Sequence, residues 1–184
     1  MKALLINGSP HADGTTAKAL ALVEQELQAA GIETENFWIG AEPVRGCLGC
    51  GACRDSHRCR FTDDPCVALT EAMAAADGVL VGTPVYFAAP NGALCALLDR
   101  VFYSASTFGR ELGGKPAAAL AVCWRAGGTS ALDRLNKYFT YSDMPLVSST
   151  YWNVMKNTED RFGEKVLRTL GRNLAREIRL HAAP

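Results

Sequence analysis

The chain has 184 residues, of which 48% are apolar and 21% charged, and its 19 lysines and arginines balance its 19 aspartates and glutamates. This length and composition are typical of one soluble globular domain, residues 1–184, with a core of its own. The balanced charge gives no reason to expect nucleic acid as a partner.

The N-terminus begins with a charge and an apolar run, as signal peptides do. The run ends at Ile6, whereas a signal peptide needs roughly seven to fifteen apolar residues. No apolar stretch reaches the roughly eighteen residues of a membrane span. We therefore expect a cytoplasmic protein with no membrane partner. In that compartment, clustered cysteines bind metal or act as redox groups more often than they form structural disulfides.

Strands and helices alternate along the chain. Apolar runs bounded by turn residues predict strands, in order, at residues 2–7, 33–39, 78–87, 115–124 and 144–154. Apolar residues at helical spacing predict helices at residues 15–31, 63–77, 91–102, 129–142 and 160–180. Asp64 is predicted to cap the second helix, with Pro65 at its first position. This alternation predicts an α/β doubly wound fold, a five-stranded parallel sheet between two layers of helices.

Ligands of such a sheet bind at the carboxyl ends of the strands. The loop after the first strand, "NGSPHADGTT", is neither a dinucleotide fingerprint nor a Walker A loop. It offers the hydroxyls of Ser9, Thr15 and Thr16, and backbone N–H groups at a helix start. These groups suit a phosphate dianion held by neutral donors. The alternative is a capped turn that binds nothing.

The loop after the third strand, "GTPVYFAAPNG", contains Tyr86 and Phe87 between Pro84 and Pro90. Two prolines stiffen the loop, and aromatic side chains at a strand end are suited to form a wall for a flat ring. The alternative is that both aromatics turn inward as part of the core.

The loop after the fourth strand, "CWRAGG", ends in two glycines, which let the backbone approach a ligand closely. A phosphate loop, an aromatic loop and a glycine loop at one sheet edge fit a flat ring with a short phosphorylated tail. FMN has this shape, and it fits better than a dinucleotide or ATP.

Four segments resemble the family of NADPH-dependent FMN reductases and iron-sulfur flavoproteins, which has a flavodoxin-like fold: "LLINGSPHADGTTA", "CLGCGACRDSHRCRFTDD", "VGTPVYFAAPNGALCALLDR" and "LNKYFTYSDMPLVSSTYWN". The resemblance implies an FMN-dependent oxidoreductase that passes electrons from NAD(P)H to a flavin, a quinone or a similar acceptor. It also implies a homodimer or homotetramer. Because the chemistry belongs to the cofactor, we assign no catalytic side chain.

The resemblance also implies the site residues. Those expected to hold the FMN phosphate are Ser9, His11, Gly14, Thr15 and Thr16. Those expected to line the ring and ribityl chain are Thr83, Pro84, Val85, Tyr86 and Phe87, with Ala126, Gly127 and Gly128 closing over the ring. The family often has arginine where His11 stands and asparagine where Thr15 stands. Losing the arginine removes a fixed charge and a bidentate fork, so FMN is expected to bind more weakly or with more dependence on pH.

The segment "CLGCGACRDSHRC" spaces four cysteines as the iron-sulfur flavoproteins do: Cys47, Cys50, Cys53 and Cys59. The resemblance implies a [4Fe-4S] cluster on these thiols, and the spacing suits one better than it suits zinc. With a cluster, the protein is expected to carry electrons between a ferredoxin-type donor and FMN. Two alternatives stay open, namely loop thiols packed at a subunit interface and a redox-active thiol site.

The remaining cysteines and one charged pair are expected to be structural. Cys66 is predicted in the first turn of a helix, and Cys95 and Cys123 in the core. Asp99 and Arg100 match a pair found in the family, and we expect them to stabilise the fold.

Overall fold

A computed structural model describes residues 1–106 and 111–182. Its strands are β1 (Lys2–Asn7), β2 (Glu33–Trp38), β3 (Gly78–Tyr86), β4 (Ala89–Pro90), β5 (Ala117–Val122) and β6 (Val154–Met155). Its helices are α1 (Thr15–Ala29), α2 (Cys66–Ala75), α3 (Gly92–Ala105), α4 (Gly128–Tyr141) and α5 (Arg161–Ala182). Among these described residues, no helix is long and apolar enough to cross a membrane.

The main sheet is parallel and has the order β2-β1-β3-β5-β6. This order confirms the predicted doubly wound fold, and it is the flavodoxin-like one. The order reverses between β1 and β3, which are neighbours in the sheet. The carboxyl ends of these two strands therefore border the crevice in which such folds bind ligands.

The sheet is buried because each central strand packs against helices on both faces. Leu4 and Ile6 of β1 belong to the core formed with α2, α3 and α4. Leu5, between them, belongs to the core formed with α1 and α5. This alternation is the two-residue period of a strand. With both faces covered, the carboxyl edge of the sheet is the natural place for a ligand site.

The sheet differs from the prediction at its last strand. A continuous strand over residues 144–154 was wrong: Leu146 forms an isolated bridge with Ala117, and regular pairing resumes at β6. Residues 148–152 between these points adopt no strand. The side chain of Asn153 donates to the carbonyl of Ala119 at 3.0 Å, a bond that a continuous strand's backbone would otherwise make.

A short antiparallel strand was not predicted. The chain turns back after β3, and β4 pairs with Val85 and Tyr86. The observed strand β3 therefore ends at Tyr86, one residue before the predicted end at Phe87.

Helix α3 is fastened on both sides by adjacent charged residues. Asp99 accepts hydrogen bonds from Arg134 on α4, at 3.1 Å, and from the hydroxyl of Tyr138. Arg100 faces the other way and pairs with Asp64, which precedes α2. Burial raises the pKa of the Tyr138 hydroxyl, and its bond to Asp99 raises the pKa further. Both residues of the pair thus stabilise the packing of α3, as predicted.

Gly171 allows α5 to lie close to α1. A Cβ added there would lie 2.7 Å from Cβ of Glu26 and 2.9 Å from the carbonyl oxygen of Val23. Since overpacking costs about 1–3 kcal/mol and exceeds the gain of about 1 kcal/mol from better helix propensity, Gly171→Ala should lower the free energy of unfolding in urea. The matched control is Gly92→Ala, where a Cβ meets nothing within 4 Å, and it should be neutral or stabilising. Equal effects of the two substitutions would contradict this account.

Candidate functional site

Loop A (residues 7–16) joins β1 to α1, and the side chain of Asn7 holds its shape. The amide nitrogen of Asn7 donates to the carbonyls of His11 and Ala12, at 3.3 and 3.2 Å. Its amide oxygen accepts from the backbone N–H of Ser9 at 3.0 Å. The Ser9 hydroxyl in turn accepts from the N–H of His11 at 3.1 Å. The loop therefore curls back on itself and leaves the hydroxyl proton of Ser9 available to a ligand.

Helix α1 begins at the end of loop A without a side-chain cap. Its first backbone N–H groups therefore remain available to an anion, with the positive end of the helix dipole behind them. Ser9 and Thr16 are buried beside this helix start, Thr15 is half-buried, and His11 is exposed. No side-chain hydrogen bond caps this helix start, in contrast to the capped turn of the alternative. An uncapped helix start with neighbouring hydroxyls fits a phosphate dianion.

Loop B (residues 82–92) presents two aromatic side chains to solvent. Tyr86 is 46% exposed and Phe87 is fully exposed, so the alternative in which they turn into the core is wrong. Phe87 and Ala88 form the two-residue hairpin between β3 and β4, and both have positive φ, 49° and 61°. Such hairpins prefer Asn-Gly, and a left-handed conformation costs other residues roughly 1–2 kcal/mol each. Backbone strain of this kind concentrates at ligand sites.

Loops A and B are bound directly to each other. The amide of Asn91 donates to the carbonyl of Gly8 at 2.8 Å, and the N–H of Gly8 donates to the carbonyl of Gly82 at 2.8 Å. The Thr83 hydroxyl accepts from the N–H of Asn91 and donates to the carbonyl of Pro84. Thr83 is fully buried, so its hydroxyl shapes the loop, whereas the side chains of residues 84–87 are at least partly exposed.

Loop C (residues 123–128) touches loop B through Gly127. A Cβ added to Gly127 would lie 2.6 Å from Cα of Ala88, and the φ of Gly127 is +88°. Both the space and the backbone angle therefore require glycine. Ala126 is exposed and Gly128 is buried at the start of α4, while the indole of Trp124 is 86% exposed. The predicted loops A, B and C thus form one continuous surface at the carboxyl edge of the sheet.

Three residues of this surface were missed from the sequence: Asn7, Asn91 and Trp38. Asn91 precedes a helix, and its side chain accepts from the N–H of Ala93 at 3.2 Å, so its capping role was readable. Its second bond, to loop A, depends on tertiary structure. The indole N–H of Trp38, at the end of β2, donates to the carbonyl of Ser9 at 2.8 Å. The position of Trp38 at the carboxyl end of a predicted strand could have indicated that it lies near loop A.

The four cysteines of the cysteine loop (residues 47–59) line one open surface pocket, which we call the cysteine pocket. Cys47 and Cys50 are exposed, Cys53 is buried and Cys59 is half-buried. As the described residues lie, no group of three His, Cys, Asp or Glu is close enough to share one metal ion. The all-thiol donor set fits the chemistry of an iron-sulfur cluster, and the sulfurs would have to draw together around it.

Residues 1–159 match the family described as NADPH-dependent FMN reductase. The chain belongs to this family. Two iron-sulfur flavoproteins of Methanocaldococcus jannaschii are similar to it. One is 31% identical over 149 residues, covering 80% of this chain and 76% of the relative. The other is 31% identical over 189 aligned positions, covering 94% of each.

The fold of this family member is also similar to a solved structure, a flavodoxin described as a WrbA-like protein from Agrobacterium tumefaciens. The TM-score is 0.72 at 17% identity, and 98% of each chain is covered. This likeness supports the flavodoxin-like fold.

Two arginines of this family member's cysteine region are paired away from the thiols. Arg45 donates to Asp63 at 3.0 Å. Arg58 donates to both carboxylate oxygens of Glu111, at 3.0 and 2.8 Å. These pairs tie the region to its surroundings. The arginines that line the cysteine pocket are Arg60 and Arg100, and Arg100 comes from α3.

Cys66 lies behind the cysteine pocket as the first residue of α2. Asp64 accepts from its N–H at 3.1 Å. The helix begins one residue later than predicted, so Pro65 rather than Asp64 is its N-cap residue. Burial raises the pKa of the Cys66 thiol to about 12, and the Arg100 guanidinium partly opposes this shift. Cys123 is buried as predicted, whereas Cys95 is only half-buried.

Cys66 should resist alkylation in the folded, iron-free protein. At about pH 8, a thiol with a pKa near 12 is ionised in roughly one molecule in ten thousand, and Cys66 is fully buried. Iodoacetamide should label the exposed Cys47 and Cys50 first, as followed by mass spectrometry of peptides. Denatured protein, in which all three thiols react, is the control. Labelling of native Cys66 as fast as Cys47 would mean that the start of α2 opens readily.

Proposed function

We propose that this protein is an FMN-dependent oxidoreductase that passes electrons from NAD(P)H to a small acceptor such as a flavin or a quinone. The observation that carries the proposal is the joining of loops A, B and C into one surface. Asn91 bonds loop B to Gly8 of loop A, and Gly127 of loop C packs on Ala88 of loop B. Bound FMN would supply the acceptance and release of electrons.

Loop A would hold the FMN phosphate. The uncapped start of α1 offers N–H donors, and the hydroxyls of Ser9, Thr15 and Thr16 lie on or beside it. The exposed His11 and the N-cap residue Gly14 complete the loop: a Cβ added to Gly14 would lie 3.2 Å from Cβ of His11. These donors can bind a dianion although loop A contains no arginine or lysine.

Loops B and C would hold the isoalloxazine ring. Tyr86 and Phe87 are exposed aromatic side chains on a stiff, strained hairpin, next to Pro84 and Val85. Backbone at residues 126–128 can approach the ring closely, because Gly127 and Gly128 carry no side chains. The full exposure of Phe87 also supports a homodimer or homotetramer in which a neighbouring subunit covers the phenyl ring of Phe87.

A second candidate function is that of an iron-sulfur electron carrier, in which a [4Fe-4S] cluster links a ferredoxin-type donor to FMN. The lining of one pocket by Cys47, Cys50, Cys53 and Cys59 favours it. The names of the two archaeal relatives agree with it. A protein with these thiols would work in the reducing environment of the cytoplasm.

Anaerobic purification followed by reduction tests both functions. Flavin, iron and acid-labile sulfide are assayed on one sample, and flavin absorbance is followed on adding NADPH, NADH or a reduced ferredoxin. Rapid bleaching by a nicotinamide, with turnover on an external acceptor, is expected for the oxidoreductase. Bleaching by ferredoxin alone, with about four irons per chain, would favour the carrier. A colourless protein that does not bind added FMN would contradict both functions.

Gly127→Ala should weaken FMN binding by about ten-fold or more, which is about 1.4 kcal/mol. The new methyl group would press on Ala88 and separate loop C from loop B. Gly114→Ala is a matched control, because Gly114 also has positive φ, +76°, but a Cβ there meets nothing within 4 Å. The left-handed backbone angle should cost both variants roughly 1–2 kcal/mol of stability, and Gly127→Ala should lose more because its methyl group overlaps Ala88. Only Gly127→Ala should lose affinity in a flavin fluorescence titration. Equal affinities would count against the assignment of loop C.

A further inference from the structure

We propose that Arg100 is the positioning residue of the cysteine pocket and that its guanidinium raises the reduction potential of an iron-sulfur cluster held there. The proposal rests on the iron-sulfur alternative above and adds a role for a residue outside the cysteine loop. It starts from a direct contact: Nε of Arg100 donates to Sγ of Cys59 at 3.3 Å.

The guanidinium of Arg100 reaches the region on both sides of the cysteines. It donates to the carbonyl of Arg45 at 3.3 Å and to that of Phe61 at 3.1 Å. These carbonyls lie before Cys47 and after Cys59, so one side chain joins the two ends of the cysteine loop. A fixed planar fork with five donors can make these contacts together, whereas a lysine ammonium cannot.

Arg100 is buried, and the carboxylate of Asp64 balances its charge. The side chain of Arg100 is 1% exposed and that of Asp64, its carboxylate partner, is 7% exposed. Removing one member of a buried ion pair leaves the other without compensation, which is strongly destabilising. Arg100 therefore has a fixed position in the fold, set by α3 and Asp64, and the cysteine loop is fitted to it.

The direction of the effect on potential follows from charge. Reduction adds an electron to a cluster, and a cationic N–H donor on a ligand sulfur stabilises the more negative state. Asp64 opposes this, because its carboxylate partly neutralises the same guanidinium. Removing Arg100 should thus lower the potential, and neutralising Asp64 should raise it. A purely structural role predicts no such opposite shifts.

Four variants test the proposal on the full chain: Arg100→Gln, Arg100→Lys, Asp64→Asn and the control Arg134→Gln. Arg134 pairs with Asp99, the neighbour of Arg100 on α3, but on the side facing α4. Each protein is reconstituted with ferrous iron and sulfide without oxygen, and its cluster potential is measured by redox titration followed by electron paramagnetic resonance.

We expect a lower potential in Arg100→Gln, a smaller decrease in Arg100→Lys, a higher potential in Asp64→Asn and no change in Arg134→Gln. If Arg100→Gln does not fold, the signs of the other shifts still decide the matter. Unchanged potentials, or the same shift in Arg134→Gln as in the Arg100 variants, would overturn the proposal.

Hydrogen exchange of the iron-free proteins tests the positioning role without a cluster. Loss of charged hydrogen bonds should speed exchange in residues 58–64 by at least about ten-fold in Arg100→Gln and Arg100→Lys, and leave it unchanged in Arg134→Gln. Equal exchange in all variants would overturn the positioning role. Wild-type protein that takes up no iron would overturn the effect on potential and the carrier function, while NAD(P)H bleaching of FMN would still support the oxidoreductase.

Discussion

The 2.8 Å hydrogen bond from Asn91 to the carbonyl of Gly8 joins the two central loops of the site, and it starts from the N-cap of α3. The same helix carries Arg100, which binds the cysteine loop. Residues 92 and 100 are separated by roughly 12 Å along a helix at 1.5 Å per residue. Since Leu94, Leu97 and Leu98 bury α3 in the core, both candidate sites are positioned by one rigid element.

The cysteine loop depends on side chains for its shape. The connection from β2 to α2 contains turns and bends but no helix or strand in the described residues. Long connections of this kind are usually functional. Arg58 belongs to the loop itself and pairs with the carboxylate of Glu111. Arg100 reaches the loop from α3 and pairs with the carboxylate of Asp64. These charged contacts hold the cysteine loop against the rest of the fold.

Much of the fold could be predicted because apolar periodicity reports burial. It located β1, β3, β5 and the five helices to within a few residues. The strand prediction failed at residues 148–152. There the side chain of Asn153, rather than a strand's backbone, donates to the carbonyl of Ala119, and the pattern of apolar residues does not indicate such a bond. The prediction also failed at the β3–β4 hairpin, where Phe87 and Ala88 stand at positions that normally favour Asn and Gly.

The site was predictable in its loops and less so in the contacts that join them. Glycines, hydroxyls and aromatics at strand ends identified loops A, B and C. The bonds made by Asn91 and Trp38 join residues far apart in sequence, and so does the contact between Arg100 and Cys59. Arg100 in particular was expected to be structural. It is structural, but the surface that it stabilises is the cysteine pocket.

The two candidate functions draw on separate parts of the chain. The surface proposed to bind flavin consists of the loops after β1, β3 and β5, whereas the cysteine pocket consists of the β2–α2 connection and the middle of α3. None of the residues named for loops A, B and C lines the cysteine pocket. The two candidate sites are therefore lined by separate residues, although α3 positions both. For this reason the iron content of the cysteine pocket, rather than the fold, is the property that separates the two functions.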